Sequence, residues 1–531
     1  MSRPGRTALL LFLLFHALYA LTSSGNAFRV PDEFEVYFQV EHFVDAGDMS
    51  IPQTLAIRQP TIVDGRVVDT QPIFYGRFGR DGKPYAPYGP FAAFLALPHH
   101  LFARAVAWLA GVPRPPLPDG LAWVFLVGGL TMLSSATGAA LAVAGFYRAA
   151  ILLEATPRTA LVLSLLLGGA TVMWPYGTSL YSEGWQAALL IWAAALLLDA
   201  RTNPRRPAIK VGAAALLLAI VGLTKVTSVL FAPWFLAAVM LDRSVPERAR
   251  VRTAAVLAIG IGMAVALHLG WNAHRFGDPF DFGYDAAETI SQMPPETIRL
   301  ADVPRGLILL LASPGKSLIL WAPALLLAVG SLREFWRREP GIAATLAVTA
   351  ATGLVFYASY LFPEAGYSHG PRQLVPIVPL LLLPAVARPI DARSRAAVVG
   401  CALIGFTIAV LATSVSFLED QGLGQDLGKG AQIAYYERID PPPGRPWNRY
   451  RLAYVPFVRT LSAGRWPEGD ALGHGLDYFP HHLARARSEL PGGTAIPFWL
   501  VWAPPLGWLA LLLFSAARLN ALELRTDSLR V

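Results

Sequence analysis

The sequence is poor in charged residues and nearly free of cysteine. Only 15% of its 531 residues are charged and 54% are hydrophobic, which excludes a soluble domain of this size. The single cysteine, Cys401, lies in an apolar run, so neither a disulfide framework nor a thiolate metal cluster is expected. A buried structural thiol is the preferred interpretation. We find no stripe of basic and aromatic residues of the kind that nucleic-acid binding needs. The formal charge of +8 is therefore no indication of a nucleic-acid partner, and the positions of Arg and Lys along the chain bear instead on membrane orientation.

Apolar runs long enough to cross a hydrocarbon core of about 30 Å recur along most of the chain. The sequence therefore predicts an all-α polytopic membrane protein with about twelve transmembrane helices. The predicted spans lie near 8–21, 120–146, 159–177, 184–199, 211–224, 227–241, 253–271, 313–331, 341–361, 373–387, 396–417 and 496–517.

Every second loop between the predicted spans is rich in Lys and Arg. The segments 1–7, 147–158, 200–210, 242–252, 332–340, 388–395 and 518–531 hold 21 of the 44 Lys and Arg residues. Because cytoplasmic loops retain Lys and Arg, this pattern predicts that both termini are cytoplasmic. A cleaved signal peptide is an alternative interpretation of the first apolar segment, since Arg3 and Arg6 precede it. Residue 32 emerges on the outer side in either case.

The loops predict three regions of the chain. Residues 1–417 form a transmembrane module with a large first outer loop, 22–119; residues 418–495 form an outer loop that acts as a lid or acceptor platform; and residues 496–531 supply the last helix and a cytoplasmic tail. The segment from Tyr88 to Leu109 is apolar but is interrupted by Pro90, Pro98 and Arg104. Counting it as a span would invert the register of all later loops, so we interpret it as a juxtamembrane or re-entrant helix.

Two adjacent carboxylates, Asp32 and Glu33, directly follow the first span. Pro31 before them suits the first turn of a helix, where the helix dipole favours negative charge. The simple alternative is that they are only favourable first-turn residues. Further polar residues gather on the same predicted side: Glu35, Tyr85, Tyr88, Glu183, Lys225, His274, Arg275, Lys316, Glu364, His369 and Arg372.

Each cation of this set has two interpretations. For Lys225, snorkelling of the ammonium to the interface is preferred. Lys316 follows a Pro-Gly pair and suits either a phosphate at a helix start or a simple interfacial position. Arg372 begins a span, and its guanidinium can bind phosphate through two parallel N–H groups. For Arg275, a phosphate-binding role and a simple interfacial position both stay open. The outer histidines lack an HExxH or comparable spacing, so a divalent metal is neither required nor excluded.

The order and sidedness of these motifs resemble the GT-C class of integral-membrane glycosyltransferases. The nearest branch comprises bacterial relatives of the dolichyl-phosphate-mannose protein mannosyltransferases, with aminoarabinose transferase and the RgtA/B/C/D-like enzymes that modify lipopolysaccharide. Besides Asp32-Glu33, the resemblance rests on Lys83–Pro90, Leu180–Glu183, Arg275–Phe280, Ser313–Lys316 and Gly370–Arg372.

The resemblance implies transfer of a hexose or pentose from a polyprenyl-phosphate donor to a glycan, lipid or protein, on the periplasmic side of a bacterial inner membrane. The expected catalytic residues are Asp32, as base, and Glu33. Arg372, Lys316 and Arg275 are expected to bind the donor phosphate, and Tyr85, Tyr88, Glu183 and His369 the substrates. The resemblance implies no cofactor with certainty, and the use of a divalent metal stays open. The alternatives are a transporter or flippase of a polyprenyl-linked or anionic lipid, and a membrane scaffold. The pairs of broken helices typical of transporters are not evident.

Overall fold

A computed structural model describes most of the chain. The described residues are 3–23, 31–56, 58–63, 66–72, 76–116, 121–203, 205–283, 298–313, 315–360, 368–392, 394–414, 478–489 and 492–527. Most of the predicted lid or acceptor platform, 418–495, lies outside these ranges, as does Glu364.

The described residues form mainly helices, which are numbered here in chain order. The α-helices are α1 Arg3–Leu21, α2 Pro31–Ala46, α3 Phe91–Leu109, α4 Leu121–Thr131, α5 Leu133–Leu152, α6 Pro157–Gly169, α7 Met173–Gly177, α8 Glu183–Thr202, α9 Pro207–Thr224, α10 Ala232–Leu241, α11 Glu247–Phe276, α12 Val303–Ala312, α13 Leu318–Trp321, α14 Leu325–Arg338, α15 Pro340–Ala358, α16 Val378–Leu382, α17 Arg395–Ser414, α18 Phe479–Glu489 and α19 Phe498–Asp527. Short 3₁₀ helices cover Pro52–Ala56, Val226–Phe231, Leu300–Asp302, Arg372–Ile377, Leu383–Ala387 and Gly493–Ala495.

The predicted class is confirmed: the chain is a multi-pass helical membrane protein. Within the described ranges, nine helices are long and apolar enough to cross a membrane, and the shorter apolar helices Pro157–Gly169, Val226–Leu241 and Arg372–Ala387 accompany them. Each predicted span overlaps a helical stretch. The stretch 159–177 is divided between α6 and α7, and 313–331 between α13 and α14.

The segment interpreted as juxtamembrane forms one continuous helix, α3. Pro98 lies inside it, and its large apolar side chains Leu101, Phe102, Trp108 and Leu109 are exposed. By length and composition α3 is one of the nine candidate spans. Its placement outside the membrane therefore stays a prediction.

Two short antiparallel hairpins in the first loop were not predicted. Strand β1, Arg58–Val63, pairs with β2, Arg66–Pro72, and strand β3, Arg77–Phe78, pairs with β4, Pro84–Tyr85. The second hairpin lies against the end of α11, where the N–H of Arg80 donates to the carbonyl of Arg275 at 2.8 Å. A Cβ atom on Gly79 would come within 2.7 Å of that carbonyl oxygen, so the close approach requires glycine.

The packing of α5 against α8 positions the start of α8. Small residues let the two backbones approach, as is usual between membrane helices. A Cβ on Gly138 would lie 2.8 Å from the backbone N of Trp185, and one on Gly145 would lie 2.9 Å from Nε1 of Trp192. The Trp185 indole N–H donates to Oγ of Ser134 at 2.9 Å. These contacts limit how far Glu183, the first residue of α8, can shift.

Charged residues also meet at the other end of α8. Both terminal nitrogens of Arg201 donate to the Glu339 carboxylate at 2.7 Å, and Asp242 lies 3.6 Å away. The ion pairs therefore join the end of α8 to the end of α10 and the start of α15. Since each α-helical residue adds 1.5 Å, the separation of eighteen positions between Glu183 and Arg201 places the two charged clusters about 27 Å apart.

Candidate active site

Helix α2 begins at Pro31, as the sequence predicted, and places Asp32 and Glu33 in its first turn. The two carboxylates have different surroundings. The Asp32 side chain is 24% exposed, whereas Glu33 is completely buried. The backbone N–H of Leu180 donates to Oε1 of Glu33 at 3.0 Å. Glu33 therefore joins α2 to the segment that leads into α8, and Asp32 is the more exposed of the two carboxylates.

Arg372 joins Asp32 to Glu183. Its Nη2 lies 2.7 Å from Oδ1 of Asp32, and its Nε lies 2.9 Å from Oε1 of Glu183. The guanidinium carbon lies 3.9 Å from the ring centroid of Tyr181, within the range of a cation–π contact. The expectation that Asp32 and the distant Arg372 face one site agrees with this geometry.

Lys225 completes a cluster of four charges. Its Nζ lies 3.0 Å from Oε1 of Glu183 and 3.3 Å from Oε1 of Gln373. With two carboxylates and two cations the cluster is neutral, as buried charges require. The Glu183 side chain is 1% exposed and lies behind Arg372. The snorkelling preferred for Lys225 is wrong, because its ammonium points to Glu183.

The surroundings of Asp32 hold it ionised. Burial raises its pKa, but the charge and hydrogen bond of Arg372, together with the Tyr88 hydroxyl and the charge of Lys225, outweigh burial and lower the pKa to about 2. A carboxylate with so low a pKa is a weak base, since a general base is most effective with a pKa near the working pH. Asp32 becomes a stronger base if Arg372 binds another anion, because the charge and hydrogen bond of Arg372 lower the Asp32 pKa.

The two predicted tyrosines have separate positions. The Tyr88 hydroxyl donates to Oδ1 of Asp32 and so belongs to the cluster. Tyr85 is 2% exposed; its hydroxyl donates to Asp81 at 2.9 Å, and its ring meets Trp271 edge to face. Tyr85 therefore supports the loop on which Tyr88 lies, and its predicted contact with substrate stays a prediction.

Arg275 lies beneath that same loop. Its Nη1 donates to the carbonyl of Ala86 and, at 3.3 Å, to that of Tyr88, and its Nη2 donates to Asn272 at 2.8 Å. The side chain is completely buried. These contacts give Arg275 a supporting position, and its role as a phosphate ligand stays a prediction.

Lys316 and His369 are both connected with the segment just before Arg372: Lys316 contacts it, and His369 is part of it. The Lys316 ammonium donates to the backbone carbonyl of Ser368 at 2.5 Å and to its hydroxyl at 3.1 Å. The carbonyl of His369 accepts the Tyr176 hydroxyl at 2.8 Å, and its ring lies beside Trp321 with the centroids 6.0 Å apart. Both residues are less than 9% exposed and hold the turn that presents Arg372.

Two contributors were missed by the sequence analysis. Tyr181 and Gln373 touch the cations directly. Tyr181 lies inside the Leu180–Glu183 motif but was given no role, and Gln373 directly follows Arg372. Neither has a charge or a spacing that would have separated it from an interfacial residue. In the part of the chain that the structure describes, no group of three or more His, Cys, Asp or Glu residues could hold a metal ion.

Comparison with known proteins finds solved structures that are similar to this chain. ArnT from Cupriavidus metallidurans in the apo state has 14% sequence identity and a TM-score of 0.48, over 96% of this chain and 76% of that chain. The ArnT structure bound to undecaprenyl phosphate has 15% identity and a TM-score of 0.46, over 97% and 77%. The archaeal oligosaccharyltransferase AglB from Archaeoglobus fulgidus, in complex with an inhibitory peptide and a dolichol-phosphate, has 13% identity and a TM-score of 0.46, over 81% and 60%.

ArnT and AglB are GT-C glycosyltransferases, the class that the motifs of this chain resemble. No protein-family model matches the sequence, and neither does any curated protein.

Proposed function

We propose that this chain is an integral-membrane glycosyltransferase that moves a hexose or pentose from a polyprenyl phosphate to a hydroxyl of a glycan, lipid or protein. The observation that carries the proposal is the 2.7 Å contact between Asp32 and Arg372. A base for the acceptor and a cation for the leaving phosphate are the two groups that this reaction needs. The motif resemblance points to the same reaction.

In the proposed reaction the acceptor oxygen attacks the anomeric carbon of the donor sugar. The bond between that carbon and the phosphate oxygen breaks, and the phosphate keeps the electron pair. The acceptor proton passes to Asp32. Attack opposite the leaving phosphate inverts the anomeric configuration, so a single carboxylate suffices where a glycosidase needs two.

The contacts of Arg372 suggest how the base becomes active. In the described arrangement its Nη2 holds Asp32, while Nε binds Glu183, which Lys225 also contacts. Donor phosphate competes with Asp32 for the guanidinium, and Glu183 keeps Arg372 in place during the exchange. Asp32 then loses the charge that lowers its pKa and becomes a stronger base once the donor is bound.

Binding of undecaprenyl phosphate to the purified protein tests the phosphate site. We expect Arg372→Ala to weaken binding by about tenfold or more, because hydrogen bonds to charged groups contribute roughly 1.5–3 kcal/mol. Arg201→Ala is the matched control, since Arg201 is also paired with two carboxylates but lies at the far end of α8. Equal binding by wild type and Arg372→Ala, or equal loss in both variants, contradicts the assignment.

The acceptor is tested in cells. Mass spectrometry of envelope glycans and glycolipids, with and without the gene, should reveal the loss of one sugar and thereby identify donor and acceptor class together. Unchanged glycans with an altered distribution of a polyprenyl-linked lipid would instead support the transporter alternative.

We also propose that the protein lies in a bacterial inner membrane with both termini cytoplasmic and the site facing the periplasm. The distribution of Lys and Arg supports this orientation. In a Cys401→Ala background, a membrane-impermeant maleimide should label Lys83→Cys in intact cells and Arg337→Cys only after lysis. The opposite pattern contradicts the orientation.

A further inference from the structure

A second carboxyl group, that of Glu35, lies one helical turn beyond Asp32. Glu35 is 3% exposed. Its carboxyl group is hydrogen-bonded to the backbone N–H of Gly76 and to the Tyr88 hydroxyl, the same hydroxyl that donates to Asp32. Its Oε2 is buried and has no hydrogen-bond partner among the described residues. Tyr88 therefore links two carboxyl groups of helix α2.

Glu41 offers a comparison on the same helix. It is also 3% exposed, but Nη2 of Arg114 lies 3.2 Å from its Oε1, and the Tyr37 hydroxyl and Trp123 indole donate to that oxygen. Glu41 thus has the partners that a buried carboxylate needs. Among the residues that the structure describes, one of the two Glu35 oxygens has no partner, and an ionised carboxylate has about four acceptor sites to satisfy.

The charged and titratable groups that face Glu35 come from three segments of the chain. Asp32 lies on its own helix, Tyr88 on the segment before α3, and Arg275 at the end of α11, where its guanidinium donates to Ala86 and Asn272. Burial and then the negative charge of Asp32 raise the pKa of Glu35 well above its ordinary value, against the opposing effects of the Gly76 N–H, Arg275 and Tyr88. A buried carboxyl without adequate partners is expected to be neutral.

We propose that Glu35 is a neutral carboxylic acid that positions Tyr88 for Asp32. A tyrosine hydroxyl has one proton to donate. When Glu35 donates its own proton to the Tyr88 oxygen, the Tyr88 proton is directed to Asp32. An ionised Glu35 would compete with Asp32 for that proton. The two carboxyl groups thereby have separate tasks, with Asp32 ionised and Glu35 protonated. The link to sugar transfer rests on the proposed function, whereas the protonation state does not.

Infrared spectroscopy of the purified protein tests the protonation state without any donor. A protonated carboxyl has a carbonyl stretch that a carboxylate lacks. We expect the difference spectrum of wild type minus Glu35→Gln at neutral pH to show this band, and the band to vanish as the pH is raised. Glu41→Gln is the matched control and should leave the carboxylic-acid region unchanged. Lack of the band in the Glu35→Gln difference spectrum overturns the proposal.

Thermal unfolding gives a second measurement that uses wild type itself. A folded-state pKa raised above the ordinary 4.5 of Glu means that stability is lost as the pH rises through the folded value. The apparent Tm of wild type relative to that of Glu35→Gln should therefore fall with rising pH above about 4.5. Parallel pH dependences of the two proteins contradict a neutral Glu35.

The positioning role is tested by sugar transfer once donor and acceptor are known. Glu35→Gln can still donate to Tyr88, so we expect kcat within about twofold of wild type, whereas Glu35→Ala should lower kcat by about tenfold or more. A merely structural role predicts that both variants lose activity in proportion to stability. Loss of transfer in Glu35→Gln with the infrared band confirmed overturns the positioning role alone.

Discussion

The contact between Asp32 and Arg372 predicts a strong energetic coupling between the two side chains. Arg372 and its neighbours lower the pKa of Asp32 from 3.8 to about 2, although burial acts in the opposite direction. At about 1.4 kcal/mol per pH unit, this net change corresponds to roughly 2 kcal/mol in favour of the ionised form. Since Arg372 is the largest favourable contributor and must also offset burial, we expect a double-mutant cycle to give a coupling of about 2 kcal/mol or more.

The cycle compares wild type, Asp32→Asn, Arg372→Ala and the double variant. Unfolding of the purified protein in mixed micelles, followed by the fluorescence of its 14 tryptophans, provides the free energies. Arg372 keeps Glu183 as a partner in Asp32→Asn, so this variant should fold.

The pair of Lys83 and Asp48 is the matched control. Its atoms are 2.6 Å apart, close to the separation of the Asp32 pair, but the lysine is 54% exposed where Arg372 is 9% exposed. Solvent screening of the exposed lysine should make its coupling clearly smaller than that of the Asp32 pair. A coupling between Asp32 and Arg372 no larger than that of the control would refute the inference that Arg372 holds the base in its resting state.

Three further predictions follow from the same contacts. Asp32→Asn should lower kcat by about 10²–10⁴-fold with membrane insertion unchanged, and wild-type transfer by this variant would exclude Asp32 as the base. Because the lowered pKa of Asp32 keeps it ionised above pH about 2, kcat/KM should show no acidic limb near pH 4, and a limb there in the free enzyme contradicts the ion pair. Gly138→Leu should destabilise the protein by about 1–3 kcal/mol through a clash with Trp185, whereas Gly212→Ala, with open space around it, should leave the apparent Tm unchanged or raise it.

Much of the helical framework was predictable from the sequence, because hydrophobic length depends on local composition. Each predicted span overlaps a helical stretch, and α2 begins at the proline that marked it. The same composition indicated that charges gather at the helix ends. The second hairpin in the first loop was not predictable in this way, because β3 and β4 have only two residues each and are held by a contact with α11.

Hydropathy gives the position of a residue along a helix but not which neighbour its side chain meets. The sequence by itself therefore determined that Asp32, Glu183, Lys225 and Arg372 lie near helix ends, and it determined their charges. Only the tertiary structure decided that Arg372 binds two carboxylates, one of them 340 positions away, and that Lys225 turns inward. The physical reason is that close helix packing, through glycines such as Gly138, brings side chains from distant segments within ion-pair distance, where a buried charge must find its partner.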